Sequence, residues 1–569
     1  MDLDSHLLNL PNEITEKILQ SLSLGVQDIV HVAHTCKHLN SVCQSNSLWK
    51  TKLQQRWSKL SIKHCGTNPD WRDVYKEYCT LAGKVHTFIR GMSAKFYKLE
   101  EISDSHFREL LSLMTSSAAT SVVQHELMST INNNNRWKNL TNKYYTRKAI
   151  QFVKHQLLKG EWKHHLSQPD TDQKLEDGAI LLSQWCRPTE DICRADVCQK
   201  LDDLAGQVIQ QLPSELADRC RQGLPLPYGT WSSDQERTVL ETLNHVMFVV
   251  NGYHGNEQDY YNKDNSYLDK VIERKLGIPI SLSLLYVSLA RRLGIECLCV
   301  NYPSHFLIKW KEHPLATTDR QFTFIDVFHK GKFLSPNEID TRLEVVKGIR
   351  PKQVYARMCR NLMNIFQQEA RHGNISSLKS ILDLYLQICP EDLEEKILCL
   401  RINIHLNVNL EELVSENLSS KIQDGHFIFI VLTMFFVPKK DKQPFYNVFT
   451  VFLCFYRYNY MCVLYGWDPV CTASEEWIIQ MGVHNLPKKD KQPFYNVLVE
   501  DGSNRYAAQE NLYHPSADQY CEIDHPDVGK YFMEFTGRYY IMNDEKALQY
   551  PDDAAVTRAV HESKDNDAQ

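Results

Sequence analysis

The run IPISLSLLYVSLARRLG, residues 278–294, constrains the fold most, because apolar side chains cover nearly every face of the helix that it predicts. Such a helix must be buried, and Pro279 suits its first turn. Three apolar runs follow, IECLCVNY, HFLIKW and FTFIDVF, and each is typical of a strand. The sequence therefore predicts a buried helix followed by three antiparallel strands.

Two of these strands carry residues that are typical of catalytic sites. His305 lies among apolar neighbours and Asp326 lies inside FTFIDVF, so two members of a Cys-His-Asp triad are present. The wording HGNEQDYYNKDNSYLDKVIERKLGIPISLS, PSHFLIKW and IDVFHKGK resembles the SirB1 or transglutaminase-like family over roughly residues 140–345. That resemblance implies a nucleophilic cysteine at the start of the buried helix, where the helix dipole and a paired histidine lower its pKa.

No cysteine stands at that position, because residues 277–281 read GIPIS. Cys297 and Cys299 lie on a strand, where a thiol without a cationic neighbour stays protonated. We therefore predict no catalytic residues and interpret His305 and Asp326 as vestigial triad positions that form a buried hydrogen-bonded pair. Acyl transfer through Ser281 or Ser283 is the alternative.

A further interpretation of this region is a cleft that binds a peptide without cleaving it. The segment YHGNEQDYYNKDNSYL, residues 253–268, is polar, aromatic and rich in turn formers. It equally suits a loop in which Asn265 and Ser266 cap the following helix. The candidate cleft residues are Tyr253, Asn256, Tyr260, Asn265, Ser266 and His305.

The first fifty residues contain short amphipathic patterns. LPNEITEKILQSL places Ile14, Ile18, Leu19 and Leu22 on one helical face, and DIVHVAHTCKHLNSV and LWK follow. This order of residues resembles the F-box motif, whose members dock on the adaptor Skp1 in cullin–RING ubiquitin ligases of the SCF type. So small a unit buries little core, and a partner's groove can cover the rest. The resemblance implies Skp1 contacts by Leu10, Pro11, Ile14, Ile18, Leu19 and Trp49, although several of these side chains could be internal core.

The word PKKDKQPFYNV occurs twice, at residues 438–448 and 487–497. The second copy lies among alternating strands, and its surroundings, from about Tyr456 to Phe535, resemble the YccV or HspQ family of hemimethylated-DNA-binding domains. That resemblance implies a small β-barrel. The first copy lies between phenylalanine-rich segments, so we predict that residues 424–455 are an insertion or a gene-model error. A genuine extra hairpin is the alternative.

The predicted barrel carries a modest basic loop with Lys488, Lys489, Lys491 and Arg505. Nearby acidic residues offset these charges, and duplex binding needs several convergent phosphate contacts. The formal net charge of −6 also gives no global attraction to nucleic acid. We therefore expect protein recognition by this domain and keep DNA binding as an alternative.

The chain, at 569 residues, is too long for one core. ARHGNISSLKSILDLYLQICPED resembles one tetratricopeptide-type unit, and such helices are too few for a solenoid and should pack on the preceding domain. The predicted class is multidomain α+β. Its expected parts are a three-helix F-box (1–58), a helical linker (59–139), a mostly helical transglutaminase-like domain with a small antiparallel sheet (140–345), tetratricopeptide-like hairpins (346–423), the insertion (424–455), the barrel (456–550) and a disordered tail (551–569).

The composition restricts the remaining possibilities. The 17 cysteines contain no CxxC pair, so a zinc-ribbon or RING site is not expected, and we predict no metal and no cofactor. The apolar segment Phe427–Val437 is too short to span a bilayer. The N-terminus lacks the features of a signal peptide, so a cytoplasmic or nuclear location is expected. Together the three resemblances imply a non-enzymatic substrate receptor of an SCF ubiquitin ligase that recruits an unknown target protein.

Overall fold

The computed structural model describes residues 10–58, 69–132, 139–220, 223–303, 305–313, 321–335, 338–339, 348–371, 374–409, 452–455, 460–513 and 520–551. The chain divides into two compact units. Unit 1 comprises Met1–Val153 and Val437–Gln569, and unit 2 comprises Lys154–Phe436. The mixed helix-and-sheet class is confirmed. Among the described residues, no helix is both long and apolar enough to cross a membrane. The segment Phe427–Val437, the first PKKDKQPFYNV copy and the tail from residue 552 lie outside the described residues.

The helices and strands of the described residues are numbered in chain order. The α-helices are α1 Asn12–Leu19, α2 Val26–Ala33, α3 Lys37–Cys43, α4 Asn46–Arg56, α5 Trp71–Arg90, α6 Met92–Phe96, α7 Arg108–Leu113, α8 Ser117–Asn132, α9 Leu140–Ser167, α10 Leu175–Cys186, α11 Arg194–Gln211, α12 Ser214–Arg219, α13 Ser233–Asn244, α14 Leu268–Arg274, α15 Pro279–Arg292, α16 Pro351–Arg371, α17 Ser376–Ile388, α18 Leu393–Leu406, α19 Glu475–Gln480, α20 Val528–Tyr531 and α21 Asp544–Gln549. The strands are β1 His254–Gly255, β2 Leu276–Gly277, β3 Cys297–Val300, β4 Leu307–Trp310, β5 Thr323–Asp326, β6 Lys332–Leu334, β7 Phe452–Phe455, β8 Met461–Asp468, β9 Phe494–Val499, β10 Asn504–Ala508, β11 Leu512–Tyr513, β12 Phe532–Phe535 and β13 Tyr540–Met542.

The N-terminal part of unit 1 differs from the predicted three-helix unit, because residues 10–58 form four helices, α1 to α4. The fourth helix arises because Leu48, Trp49 and Leu53 recur at helical spacing and are all buried. The core of these helices is continuous with helices α5 and α8, which contribute Tyr75 and Val122. The F-box segment therefore shares a core with the helices that follow it.

The C-terminal part of unit 1 contains a five-stranded antiparallel sheet in the order β10-β9-β8-β7-β11, and strands β12 and β13 pair separately. Strand β7, Phe452–Phe455, belongs to the segment that we interpreted as an insertion, and it pairs with β8 and β11. The second PKKDKQPFYNV copy provides most of β9. Closure into a barrel remains a prediction.

The two sequence-distant parts of unit 1 are joined by polar and aromatic contacts. Ser93 donates to the carboxylate of Glu545 at 2.5 Å, and the Tyr97 hydroxyl donates to Gln549 at 3.0 Å. Lys530 donates to the carbonyl of Leu99 at 2.9 Å. Helix α6 and its neighbours therefore hold the C-terminal helices against the N-terminal half of this unit.

Unit 2 is built around helix α15, which is buried almost throughout and begins at Pro279 as predicted. It precedes an antiparallel sheet in the order β3-β4-β5-β6, so the three predicted strands are confirmed and a fourth, β6, extends them. Helix α17 contributes Leu382 to the same core, and the Trp185 indole donates to the carbonyl of Ser380 at 2.8 Å. The helices after the sheet therefore pack on the transglutaminase-like core, as expected.

Candidate functional site

Helix α1 has a buried row and an exposed apolar row. Thr15 and Leu19 face the interior, whereas Ile14 and Ile18 keep 43% and 41% of their surface exposed. Leu22, four residues beyond Ile18, is 82% exposed. Ile14 and Ile18, at positions i and i+4, lie side by side on the helix, whereas Leu22 lies in the turn that follows the end of the helix at Leu19. We call Ile14, Ile18 and Leu22 the α1 apolar face.

The other residues predicted to contact Skp1 have different environments. Pro11 is exposed and Leu10 is half-buried at the start of α1. Leu19 and Trp49 are buried in the core, and the Trp49 indole donates to the carbonyl of Cys43 at 2.7 Å. Leu19 and Trp49 are therefore internal core residues rather than surface residues. The surface candidates for Skp1 contact are Leu10, Pro11, Ile14 and Ile18.

In unit 2 the two vestigial triad residues form a hydrogen-bonded pair. His305 lies two residues before strand β4, Asp326 ends β5, and antiparallel pairing of these strands brings the two side chains together. His305 Nε2 lies 2.9 Å from Asp326 Oδ2. The Nδ1 atom of His329 lies 2.8 Å from the same oxygen. The predicted pair is thus a group of three, and a histidine three residues after the aspartate in IDVFH was the signal for its third member.

The charges of this group stabilise one another. The hydrogen bond that His305 donates to the Asp326 carboxylate, opposed by burial, raises the pKa of His305 above its usual value. Burial alone raises the pKa of Asp326, but hydrogen bonds from His305 and His329 outweigh it and lower the pKa of the carboxyl. At neutral pH the carboxylate therefore stays ionised between two imidazoles.

The two serines at the start of helix α15 are engaged in backbone hydrogen bonds or buried, so neither is placed for acid–base chemistry. The Ser281 hydroxyl donates to the carbonyl of Asn265 at 2.6 Å and accepts from the N–H of Ile278 at 3.1 Å. Ser283 is fully buried within the helix. Burial raises the pKa of Cys299 to about 12 and the pKa of Cys297 well above its usual value. Both strand thiols are therefore protonated at neutral pH, as the sequence predicted.

Four of the candidate cleft residues are buried and stabilise the loop instead. Tyr253 donates to the carbonyl of Ile272 at 3.3 Å, and the Asn256 amide donates to Asn265 Oδ1 at 3.1 Å. Asn265 donates in turn to the carbonyl of Asp259 at 2.7 Å. Ser266 is also buried. These side chains fix the loop from within, so they are not available to a ligand in this conformation.

Tyr260 and His305 remain accessible at the same place. Tyr260 is 41% exposed, and its ring lies 6.5 Å from the Phe328 ring, which lies 6.4 Å from His305.

The predicted cap of α14 is wrong, because Tyr267 precedes that helix without a side-chain cap. Asn262 instead accepts from the N–H of Asp264 at 2.9 Å and caps the preceding 3₁₀ turn.

A basic cavity of about 480 Å³ at the N-terminal half of helix α16 was not foreseen. Arg350, Lys352, Arg357 and Arg360 line it, together with Glu391. The signal was present in IRPKQVYARMCR, where Arg350, Arg357 and Arg360 are separated by seven and three residues and so share a helical face. The positive charge of Arg357 also acts on the Tyr260 phenol, whose pKa burial raises and Arg357 lowers.

The basic loop of the C-terminal sheet is less positive than its sequence suggests. Lys488, Lys489 and Lys491 are exposed before strand β9. Arg505, in contrast, lies 4.1 Å from the Tyr460 ring and forms an ion pair with Asp501. Three lysines rather than four cations are therefore available to an anionic partner.

Comparison with known families assigns three parts of the chain. Residues 7–55 match the F-box-like family, residues 195–365 match the transglutaminase-like superfamily, and residues 455–539 match the family described as hemimethylated DNA-binding protein YccV like. The combination defines an F-box protein with a transglutaminase-like and a YccV-like domain.

Full-length relatives make the assignment more specific. Proteins named F-box only protein 21 from Pongo abelii, Homo sapiens and Mus musculus are 33%, 34% and 33% identical to this chain. Each match covers 96% of this chain and 92% of the relative. The chain therefore belongs to the F-box only protein 21 family. No solved structure matches it significantly.

Proposed function

We propose that this chain is the substrate-recognition subunit of a Skp1–cullin–F-box ubiquitin ligase. The observation that carries the proposal is the α1 apolar face, which lies on the F-box segment and leaves Ile14, Ile18 and Leu22 exposed. Burial of such side chains is favourable by about 25 cal/mol per Å² of apolar surface, and a helix that presents them fits a partner's groove. Skp1 is the partner that the F-box resemblance implies.

The contacts with Skp1 are assigned to the accessible residues. Leu10, Pro11, Ile14 and Ile18 make them directly, whereas Leu19 and Trp49 act from the core by fixing helix α1 and its neighbours. The receptor itself supplies proximity, because it holds a target protein beside the ubiquitin-carrying enzyme of the complex.

Copurification with Skp1 tests this proposal. We expect Ile14→Glu combined with Ile18→Glu to abolish Skp1 binding, because each new carboxylate must be desolvated in an apolar groove. Leu10→Ala with Pro11→Ala should weaken it. Ile479→Glu is the matched control, since Ile479 is also exposed, at 69%, but lies outside the F-box. Undiminished Skp1 binding by the Ile14/Ile18 variant with an unchanged circular dichroism spectrum contradicts the proposal.

Several contacts support a receptor without acyl-transfer activity. The hydroxyl of Ser281 is hydrogen-bonded to backbone groups rather than to an imidazole. The Cys297 and Cys299 thiols are buried and protonated, so neither is a ready nucleophile. For the C-terminal sheet we propose protein recognition rather than DNA binding, because Arg505 is already paired with Asp501.

We assign the binding site for the target protein to the accessible surface around Tyr260 and the basic cavity of α16. Arg350, Lys352 and Arg360 of that cavity pair with Asp170, Glu391 and Asp392, so Arg357 is the cation that favours an acidic residue of the target. Affinity capture followed by mass spectrometry, with the intact chain and with the Ile14/Ile18 variant, identifies the target. A genuine target is retained by both proteins and is ubiquitinated only with the intact chain.

The finer architecture belongs to the same proposal. We retain tetratricopeptide-like hairpins for residues 346–423 and a small barrel for residues 456–550, to which strand β7, Phe452–Phe455, is added because it pairs with β8 and β11. Action in the cytoplasm or the nucleus follows from the ubiquitin ligase role.

A further inference from the structure

We propose that His305, Asp326 and His329 form a zinc-binding site. Their three ligand atoms, one from each side chain, lie within 4.8 Å of one another. Two imidazole nitrogens and one carboxylate oxygen are donors that zinc accepts in proteins. Magnesium and calcium prefer oxygen donors throughout, so this donor set favours zinc. The site is additional to the proposed ligase function and does not depend on it.

The carboxylate is oriented before any metal binds. Asp326 Oδ1 accepts the N–H groups of Phe328 at 3.1 Å and His329 at 3.2 Å. These bonds leave Oδ2 directed at both imidazoles. Orientation of a ligand by such outer contacts is typical of metal sites.

The turn that carries His329 is also fixed. Lys330 and Gly331 both have positive φ, at 60° and 74°, which closes the chain tightly after Asp326. The Asn244 amide donates to the carbonyl of Gly331 at 2.8 Å and anchors the turn to helix α13. A Cβ on Gly331 would lie 2.2 Å from Asn244 Oδ1, so the close approach requires glycine.

Zinc requires the three ligand atoms to rearrange, because the two imidazole nitrogens, up to 4.8 Å apart, must approach each other. Ligands about 2.0–2.1 Å from a tetrahedral zinc ion lie about 3.3 Å apart. The two histidine–carboxylate distances, 2.9 and 2.8 Å, therefore lengthen slightly. The side chain of His329 is 61% exposed and can complete this movement. Each imidazole presents its lone pair to the metal and keeps its proton on the other ring nitrogen.

The site offers three protein ligands and is accessible to solvent on the side of His329. Zinc sites with three protein ligands keep a fourth position for water or for a group of a bound molecule. Tyr260 and Phe328 border the same region. A carboxylate or histidine of a bound peptide is the class of ligand that would complete the coordination.

Zinc titration of the intact, chelator-treated chain tests the proposal. In competition with a chromophoric chelator, we expect wild-type protein to bind one more equivalent than His329→Ala, or to bind it at least about tenfold more tightly. His254→Ala is the control, because His254 is also an exposed histidine of unit 2. The chain's many thiols are common to all three proteins, so their zinc binding cancels in the comparison.

Cobalt substitution distinguishes the site from the cysteines. A nitrogen-and-oxygen site gives visible d–d bands without a thiolate-to-cobalt band, and these should disappear in His329→Ala and Asp326→Asn. Equal zinc stoichiometry, affinity and cobalt spectra for wild type and His329→Ala would overturn the proposal. Skp1 copurification should be the same for both proteins, so this result is separate from the test of the ligase function.

Discussion

The indole N–H of Trp57 donates to the buried carboxylate of Glu126 at 2.9 Å and joins the end of the F-box segment to helix α8, 69 residues further along the chain. His86 Nε2 lies 3.0 Å from the other carboxylate oxygen, and Arg56 lies 3.4 Å from the first. One carboxylate thus connects three helices. Arg56 and Trp57 stand at the C-terminal end of α4, His86 lies on α5, and Glu126 itself lies on α8. These contacts fix the end of the F-box segment against helices α5 and α8.

Glu126→Ala should lower the stability of unit 1 by about 2–3 kcal/mol, because it leaves a buried indole donor unpaired and removes hydrogen bonds to a charged group. Urea denaturation followed by the fluorescence of the F-box tryptophans measures the loss. Glu77→Ala, an exposed glutamate of helix α5, is the control and should change stability by less than about 0.5 kcal/mol. Equal midpoints for the two variants would contradict the role of Glu126.

The pKa of Glu126 gives this connection a pH dependence. Burial raises the pKa, but the neighbouring His125 imidazole, the hydrogen bond from His86 and the charge of Arg56 outweigh it, so the folded pKa is lowered. The stabilisation is therefore present above the usual glutamate pKa of about 4.3 and is lost as the pH falls through the folded value. Acid unfolding of the Glu126→Ala protein should consequently be less steep than that of wild type.

His305 should titrate above the usual histidine pKa of about 6.5, because its hydrogen bond to Asp326 favours the imidazolium. With a raised folded pKa, the pair's contribution to stability is complete below about 6.5 and is lost as the pH rises through the folded value. Nuclear magnetic resonance of ¹³C-labelled histidines in metal-free protein measures the pKa. In the Asp326→Asn protein the pKa of His305 should fall toward the usual value, while the His254 resonance is unchanged. An identical His305 titration in both proteins would refute the ion pair.

Cys297 and Cys299 should resist alkylation at pH 8 in the folded protein, because burial raises the pKa of both thiols. Exposed Cys193 should react before either of them and serves as the internal control. Iodoacetamide labelling followed by peptide mass spectrometry gives the order of reaction. Labelling of Cys299 as fast as that of Cys193 would reveal an activated thiol and would reopen acyl transfer.

Gly178→Ala should destabilise unit 2 by about 1–3 kcal/mol, although alanine is the better helix former. A Cβ on Gly178 of helix α10 would lie 2.3 Å from the ring of Tyr355, which is fully buried and bonded to His165 at 2.9 Å. Gly206→Ala in helix α11 meets no atom within 4 Å and should stabilise by up to about 1 kcal/mol. Thermal unfolding of both variants compares the two effects, and the same sign of shift for both would contradict the steric argument.

Much of unit 2 could be predicted, because its signals are local. An all-round apolar run specifies a buried helix, and short β-branched and aromatic runs specify strands, so α15 and β3 to β5 were expected where they occur. Strand β6 was missed because KFL is too short to show a period. The cap of α14 was misassigned because Asn265 makes its hydrogen bonds within the loop, to Asn256 and Asp259.

The candidate sites depended more on tertiary structure. Apolar spacing identified Ile14, Ile18 and Leu19 together, but it could not tell which would face outward, because adjacent rows of one helix carry similar residues. Likewise, polarity marked Asn256 and Asn265 as surface candidates, whereas mutual hydrogen bonds allow both to be buried.

By itself the amino-acid sequence determined the local elements, the order of the three family signatures and the absence of a cysteine at the head of α15, because these are properties of contiguous residues. Only the tertiary structure decided that the F-box shares its core with α5 and α8, and that His329 joins His305 and Asp326. Those relationships depend on side-chain packing and hydrogen-bond geometry between distant segments, which spacing along one chain does not encode.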